Sequence, residues 1–300
     1  MNVWGDKIKV VDTRRMTHLE YVEWIDRHKS SHFNIHAELW ADINAWMALP
    51  PWVKDWARIL AVGTRTRSGV ICGRSAARLW GIQILGYEKP VVVCLPGSKT
   101  PPRSRNRWIH YRSAKVPADK VVEHKGIRFT SMERSVADTC RWGDFAEGLV
   151  AVESYLRHQD GHRFLLMREL EHLGRLPGVR KLRRVMEAAN SKSESVAESW
   201  AKAQLIEARI PFEQQARIDD RRVDFLIEGI IVEIDGDSKF KEAESVAVLH
   251  ERKRDRELQN AGYPVAHFDW NALKEGTFIP DLRRLLESMN SKTPRVPKSS

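Results

Sequence analysis

The stretch Val223-Asp224-Phe225-Leu226-Ile227-Glu228-Gly229-Ile230-Ile231-Val232-Glu233-Ile234-Asp235-Gly236 decides how this chain is read. It describes two short apolar strands joined by a tight turn at Glu228-Gly229. Asp224 heads the first strand; Glu233 and Asp235 close the second. Carboxylates at the ends of Ile/Val-rich strands are costly to desolvate unless something binds them. A hard divalent cation meets that need, because carboxylate oxygens suit magnesium. Glu233 and Asp235 are two residues apart, so both point to one face of the sheet. The pattern predicts a metal held by Asp224 with one or both of Glu233 and Asp235. The competing reading is three solvated acids at strand ends.

Outward from this hairpin the second half is regular. Ser195-Val196-Ala197-Glu198 opens a helix running to about Arg209, and strands follow near 213–218, 222–227 and 230–235. A charged helix is predicted over roughly 244–261, ending at Gly262. A last strand covers 264–268 and a last helix 279–289. Glu198 either approaches the acids from the first helix or closes a Ser-x-x-Glu capping box with Ser195.

The first half is less regular. Residues 1–64 read as a helical, Trp-rich segment in which Trp40, Trp46, Trp52 and Trp56 build a local core. His28, His32 and His36 have the four-residue spacing of one helix face. Residues 68–82 suggest a strand and then a helix capped by Ser75 and ended by Gly81. Further strands are predicted at 91–95, 108–112 and 126–130. Ser131 then starts a helix that carries Arg134 and Asp138 at ion-pair spacing. Residues 145–190 read as helical with a break at Leu176-Pro177-Gly178. The run Arg180-Lys181-Leu182-Arg183-Arg184 either covers phosphates or faces solvent. Asn190 to Ser195 is small and polar, a domain boundary. The Lys/Pro/Ser-rich tail 291–300 is expected to be disordered.

Composition narrows the function. The 300 residues leave room for two domains, and the formal net charge of +10 favours a polyanionic partner, most simply nucleic acid. Arg103, Arg105 and Arg107 add a second basic run. Cys72, Cys94 and Cys140 form no C-x-x-C pair, which argues against structural zinc and for a reducing cytoplasm. No apolar run approaches the roughly 18–20 residues of a membrane span, and the first residues do not read as a signal peptide. The sequence sets no oligomeric state.

Two resemblances follow. Ser75-Ala76-Ala77-Arg78-Leu79-Trp80-Gly81-Ile82 resembles the S-A-A-x-L-x-G-L segment of AbiEi-type antitoxins, from type IV toxin–antitoxin and abortive-infection systems. Gly126-Ile127, followed by Thr130-Ser131-Met132-Glu133-Arg134-Ser135-Val136-Ala137-Asp138, resembles that family's G-I-x-x-T-S-x-x-R-T-x-x-D segment. Residues 65–190 are accordingly read as an antitoxin-like α+β domain. Members often begin with a winged helix-turn-helix, of which residues 1–60 show no clear version.

Over roughly residues 193–290 the chain resembles bacterial very-short-patch-repair-like endonuclease domains, of the restriction-endonuclease-like PD-(D/E)XK fold. Ser195-x-x-Glu198-Ser199, Arg222-Val223-Asp224 and Val232-Glu233-Ile234-Asp235-Gly236 carry this resemblance. Lys239-Phe240, Glu251 with Arg254, and Gly262-Tyr263-Pro264-Val265 leading to Phe268-x-Trp270 extend it. It implies a two-domain α/β chain whose C-terminal domain is a mixed sheet flanked by helices, hydrolysing DNA with Mg2+ or Mn2+. It implies catalytic roles for Asp224, Glu233, Asp235 and Glu198. The family pattern has Lys two residues after the acid, where this chain has Asp235. Lys239 is either the cation that stabilises the pentavalent phosphate in its stead or an exposed loop lysine. Arg254 either neutralises phosphate or pairs with the acids. The implied partners are DNA and a cognate toxin protein. The rival readings are a non-catalytic DNA-binding regulator on a nuclease scaffold and an antitoxin acting only on a protein partner.

Overall fold

The structure, a computed structural model, describes residues 9–87, 89–95, 106–236, 258 and 262–292. Residues before 66 form β1 (Val10–Asp12), α1 (His18–His28), β2 (His32–His36), β3 (Leu39–Asp42), α2 (Ile43–Ala48) and α3 (Pro51–Arg65). Thr17 and Glu20 close a capping box at the start of α1, and Pro51 opens α3 at its first turn. The segment is thus helical but also carries a three-stranded sheet in the order β1-β3-β2. The histidine spacing is not that of one helix. His28 ends α1, and His32 and His36 are the two ends of β2. Trp24 gathers His28, His32 and Trp40 around it, with ring centroids 5.0–5.5 Å apart. Trp46 is buried, whereas Trp52 is exposed beside Tyr87.

The middle of the chain is a five-stranded mixed sheet, β6-β5-β4-β8-β7. Its strands are β4 (Val70–Ile71), β5 (Val91–Cys94), β6 (Ile109–Arg112), β7 (Val121–His124) and β8 (Ile127–Thr130). Helix α4 (Gly73–Leu79) follows β4, but Ser75 does not cap it. Cys72 is the cap residue, and the Ser75 hydroxyl instead accepts from the Val92 amide at 3.0 Å, tying α4 to β5. Gly81 does end the helix. Its φ of +80° allows Ile82 N to reach Ala77 O and Gly81 N to reach Arg78 O. Helix α5 (Met132–Trp142) starts at Ser131, and Arg134 pairs with buried Asp138 at 2.8 Å. Helices α6 (Phe145–Arg157), α7 (Arg163–Leu173) and α8 (Val179–Ala188) follow. The break near Pro177 has a companion at Gly161, where a Cβ would lie 1.7 Å from the Tyr155 carbonyl oxygen.

The second half opens with α9 (Val196–Ala208), capped by Ser195. Strands β9 (Glu213–Ile218), β10 (Arg221–Ile227), β11 (Ile230–Ile234) and β12 (Val265–Phe268) form a sheet in the order β12-β11-β10-β9. The first three pair antiparallel, and β12 joins β11 in parallel. At the β10–β11 turn Glu228 and Gly229 have φ of +48° and +82°, the type I′ pattern that suits a two-residue hairpin. Val232 and Ile234 pack with Ala197, Ala201 and Leu205 of α9, while Ile231 packs with Ala216 and Val223 on the other face. Helices α10 (Trp270–Glu275) and α11 (Phe278–Lys292) complete that core through Leu273, Phe278 and Leu282. The chain is therefore an α/β protein of mixed sheets flanked by helices. Of the expected helix over 244–261, Leu258 is described, helical and buried; its residues 244–257 and 259–261, and the tail beyond 292, lie outside the described residues.

The segment 190–195 is small and polar, yet it is pinned. Ser193 is fully buried, and its carbonyl accepts from Arg157 at 2.7 Å. Ser193 Oγ, Ser199 Oγ and Lys202 Nζ all donate to Glu153 of α6, at 2.6, 2.7 and 2.6 Å. Among the described residues no helix is long and apolar enough to cross a membrane.

Candidate functional site

Helix α9 and the three antiparallel strands bring the acids together. The Ser195 hydroxyl accepts from the Glu198 amide at 3.0 Å, and the Glu198 side chain folds back over the helix start. There its Oε2 accepts from the Glu194 amide at 2.8 Å. Cap and site are thus one arrangement, with the return bond reaching Glu194. The same oxygen accepts from Gln215 Nε2 at 3.0 Å, and Gln215 Nε2 also lies 3.3 Å from Asp224 Oδ1. One amide group of β9 therefore bridges a helix carboxylate and a strand carboxylate.

Gln215 reaches this position at a backbone cost. Its φ is +54°, in the left-handed region that a residue with a Cβ adopts with strain. The β9–β10 ladder keeps one register on both sides of it, Val223 opposite Ala216 and Phe225 opposite Gln214. Asp224 is held from its other side as well, where its Oδ2 accepts from the Ile234 amide at 2.9 Å. That amide lies between Glu233 and Asp235, so the two ends of the hairpin are latched together.

Glu233 is buried, 8% exposed, on the face opposite Val232 and Ile234. Asp235 is half-exposed, and its Oδ2 lies 3.4 Å from His267 Nδ1 of β12. Asp235 N donates to Phe268 O at 2.9 Å, which extends the parallel ladder to the site's edge. Gln215 and His267 had no sequence signal of their own. Each is a single polar residue in a short strand, placed by pairing with a neighbour. In this arrangement no group of three or more His, Cys, Asp or Glu side chains among the described residues is set to hold a metal ion. Lys239 and Arg254 lie outside the described residues, as do Arg103 and Arg105.

The basic run is helix α8. Val179, Leu182, Val185 and Met186 are buried, and Arg180, Lys181, Arg183 and Arg184 are exposed on the opposite face. Lys181 Nζ donates to Gly143 O at 2.9 Å, and the Arg184 guanidinium lies 4.2 Å from the Phe145 ring centre. Among the described residues Arg180 and Arg183 make no ion pair.

Burial, and then the charge of Asp224, push the Glu198 carboxyl up to about 7. A carboxyl raised in the fold favours the folded state only while protonated. Stability is therefore expected to fall as pH rises from the usual carboxylate range to about 7, and to level off above it. The loss is about 2 kcal/mol after discounting for solvent screening. Glu198→Gln should flatten this slope in urea melts taken between about pH 5 and pH 8. A slope unchanged by the substitution contradicts the assignment. No protein-family model matches this chain, and no curated protein matches it.

Proposed function

We propose that the second half, residues 193–290, is a metal-dependent DNA endonuclease-like domain of the very-short-patch-repair-like, PD-(D/E)XK class. The proposal includes an AbiEi-antitoxin-like first half over 65–190, in a toxin–antitoxin, defence or DNA-repair setting. The observation that carries it is the Glu198–Gln215–Asp224 bridge, latched by Asp224 to the Ile234 amide between Glu233 and Asp235. A mixed sheet whose last strand is parallel, with α9 across one face, supports it.

The described side chains as they stand form no three-ligand cluster, but their carboxylate oxygens are the donors a hard divalent cation takes. Glu198 and Asp224 are carboxylates close enough that the charge of one raises the pKa of the other, and a cation relieves that repulsion. Asp224 with Glu233 or Asp235 would hold Mg2+ or Mn2+. Bound there, the ion would supply polarisation of a phosphate and acidification of a water. The protein's own part is positional. Gln215 fixes the spacing of Glu198 and Asp224, and the Ile234 amide orients Asp224 toward the end of β11. His267 stands beside Asp235 on the exposed side, where a phosphate would approach.

A second reading, a DNA-binding regulator without turnover, is favoured by Asp235 at the position where the family has Lys. Both readings use the exposed basic face of α8 for phosphates, and both expect affinity to fall steeply with salt. Calorimetry is expected to show saturable magnesium or manganese binding that Asp224→Asn weakens at least about tenfold. Duplex, mismatched and single-stranded DNA should be cut with either metal and not with EDTA. Equal metal binding by wild type and variant removes the metal assignment. DNA bound but never cut, across metals and substrates, leaves the regulator.

A further inference from the structure

A cavity lined by apolar surface and several charged side chains lies in the first half, between the edge of the five-stranded sheet and α5. It encloses about 210 Å³ and is lined by Arg74, Lys89, His110, Arg112, Asp138 and Glu147, with Trp142 as its wall. That is room for several waters or one compact ligand.

The charges of this cavity do not cancel. Asp138 is taken by Arg134 at 2.8 Å and by Arg141 at 2.6 Å. Glu147 accepts from Arg74 at 3.0 Å and also pairs with Lys89. Burial works against its charge, yet Lys89 and Arg74 hold Glu147 below the usual carboxylate range, so it is ionised and engaged. Both carboxylates in the wall thus have their cations already.

Arg112 has no carboxylate among the described residues. Its guanidinium stacks on the Trp142 ring, 4.6 Å from the centre. Its Nε is buried and has no hydrogen-bond partner among the described residues. A buried charged N–H without an acceptor costs more than an unmade bond between neutral groups. Such a group calls for an explanation, and a bound anion is one. His110, two residues away on the same strand, is held below its usual pKa by burial and then by the charge of Arg112. The imidazole thus adds a neutral hydrogen-bonding group without cancelling the cation.

The cavity is also built rather than incidental. Gly73, at φ +53°, lies against Trp142, where a Cβ would sit 3.0 Å from the ring. A Cβ on Gly143 would lie 2.4 Å from Glu147 Oε2 and 2.9 Å from the Thr139 carbonyl oxygen. These two glycines let the indole and Glu147 stand where they do.

We propose that this cavity binds a compact oxyanion of the phosphate class, with Arg112 as its principal donor. The forked guanidinium, backed by an aromatic ring, matches the geometry of a phosphate's oxygens. The cavity volume admits a phosphate with little attached. The site is independent of the acids of the second half, so either assignment can fail alone.

Titration calorimetry of the full chain with inorganic phosphate tests it, with sulfate, acetate and a 5′-phosphorylated dinucleotide as further arms. Phosphate is expected to bind with a Kd on the order of 10 μM to 1 mM. Arg112→Gln should weaken it at least about tenfold, and Arg175→Gln, on an exposed loop, should not. If Arg112→Gln does not fold, Arg112→Lys keeps the charge without the fork and should bind more weakly than wild type. Tighter binding of the dinucleotide identifies a phosphorylated nucleic-acid end as the source, and equal or weaker binding identifies the free anion. Acetate binding as tightly as phosphate overturns the proposal. So does unchanged phosphate binding in the folded Arg112 variants, or no saturation below roughly 10 mM.

Discussion

Glu153→Ala is expected to destabilise the protein by about 3–5 kcal/mol, the usual cost of stranding a buried charge. Glu153 is fully buried on α6, and Lys202 of α9 is 2% exposed. The carboxylate satisfies Lys202 Nζ, two serine hydroxyls and, at 3.2 Å, the Asn190 amide. Removing it leaves four donors without an acceptor, one of them an ammonium. Burial already pulls the Lys202 pKa below its ordinary value against the pull of Glu153. Without Glu153 the amine is expected to lose its proton inside the fold. Denaturant melts measure the loss directly. The double variant Glu153→Leu with Lys202→Met should recover most of it, because a well-packed apolar pair replaces a buried ion pair at little or no cost. A Glu153→Ala protein within about 1 kcal/mol of wild type shows that the cluster is not fully desolvated.

The nuclease reading carries the other large effect. Asp224→Asn and Asp235→Asn are each expected to lower DNA cleavage by about 10²–10³ or more, roughly 3–4 kcal/mol of lost transition-state stabilisation. Lys239→Ala should lower it as well, if that lysine supplies the missing cation. Neither asparagine should unfold the domain. In Asp224→Asn the side-chain amide keeps an oxygen for the Ile234 N–H, and Asp235 is half-exposed with His267 Nδ1 3.4 Å from its Oδ2. Circular dichroism and melting separate a folded inactive variant from an unfolded one. A folded Asp235→Asn protein that cuts at the wild-type rate removes this residue from the site.

Local pattern carried much of the fold. The β10–β11 hairpin was legible because Glu228-Gly229 sits between two Ile/Val runs, and the strand ends fall within a residue of their expected places. The start of α9 was legible from Ser195 and Glu198, and the Arg134–Asp138 pair from its spacing. The histidines misled because a four-residue step fits one helix face and also the two ends of a five-residue strand. Ser75 misled because a serine in the first turn of a helix can face a neighbouring strand instead of the helix's own amides. Of the acids, Glu198 and Asp224 come together through Gln215, and Glu198 also folds back over the helix start, so the two alternatives left open for it coexist. The amide that joins them was hidden, since nothing in Glu213-Gln214-Gln215-Ala216 marks one residue for a left-handed backbone. His267 and Arg112 owe their positions to parallel pairing with β11 and β5, which leaves no trace in nearby sequence.

The parallel placement of β12 also orders the assembly of the acidic site in time. Glu198, Gln215, Asp224 and the Ile234 amide lie on neighbouring segments joined by short turns, so their contacts close over small loops. Asp235 and His267 meet only after a chain of about 30 residues has closed, and that closure costs entropy before any ladder bond repays it. On a ribosome the Glu198–Asp224 corner can form while β12 is still unmade, and the His267 corner is necessarily the last to arrive.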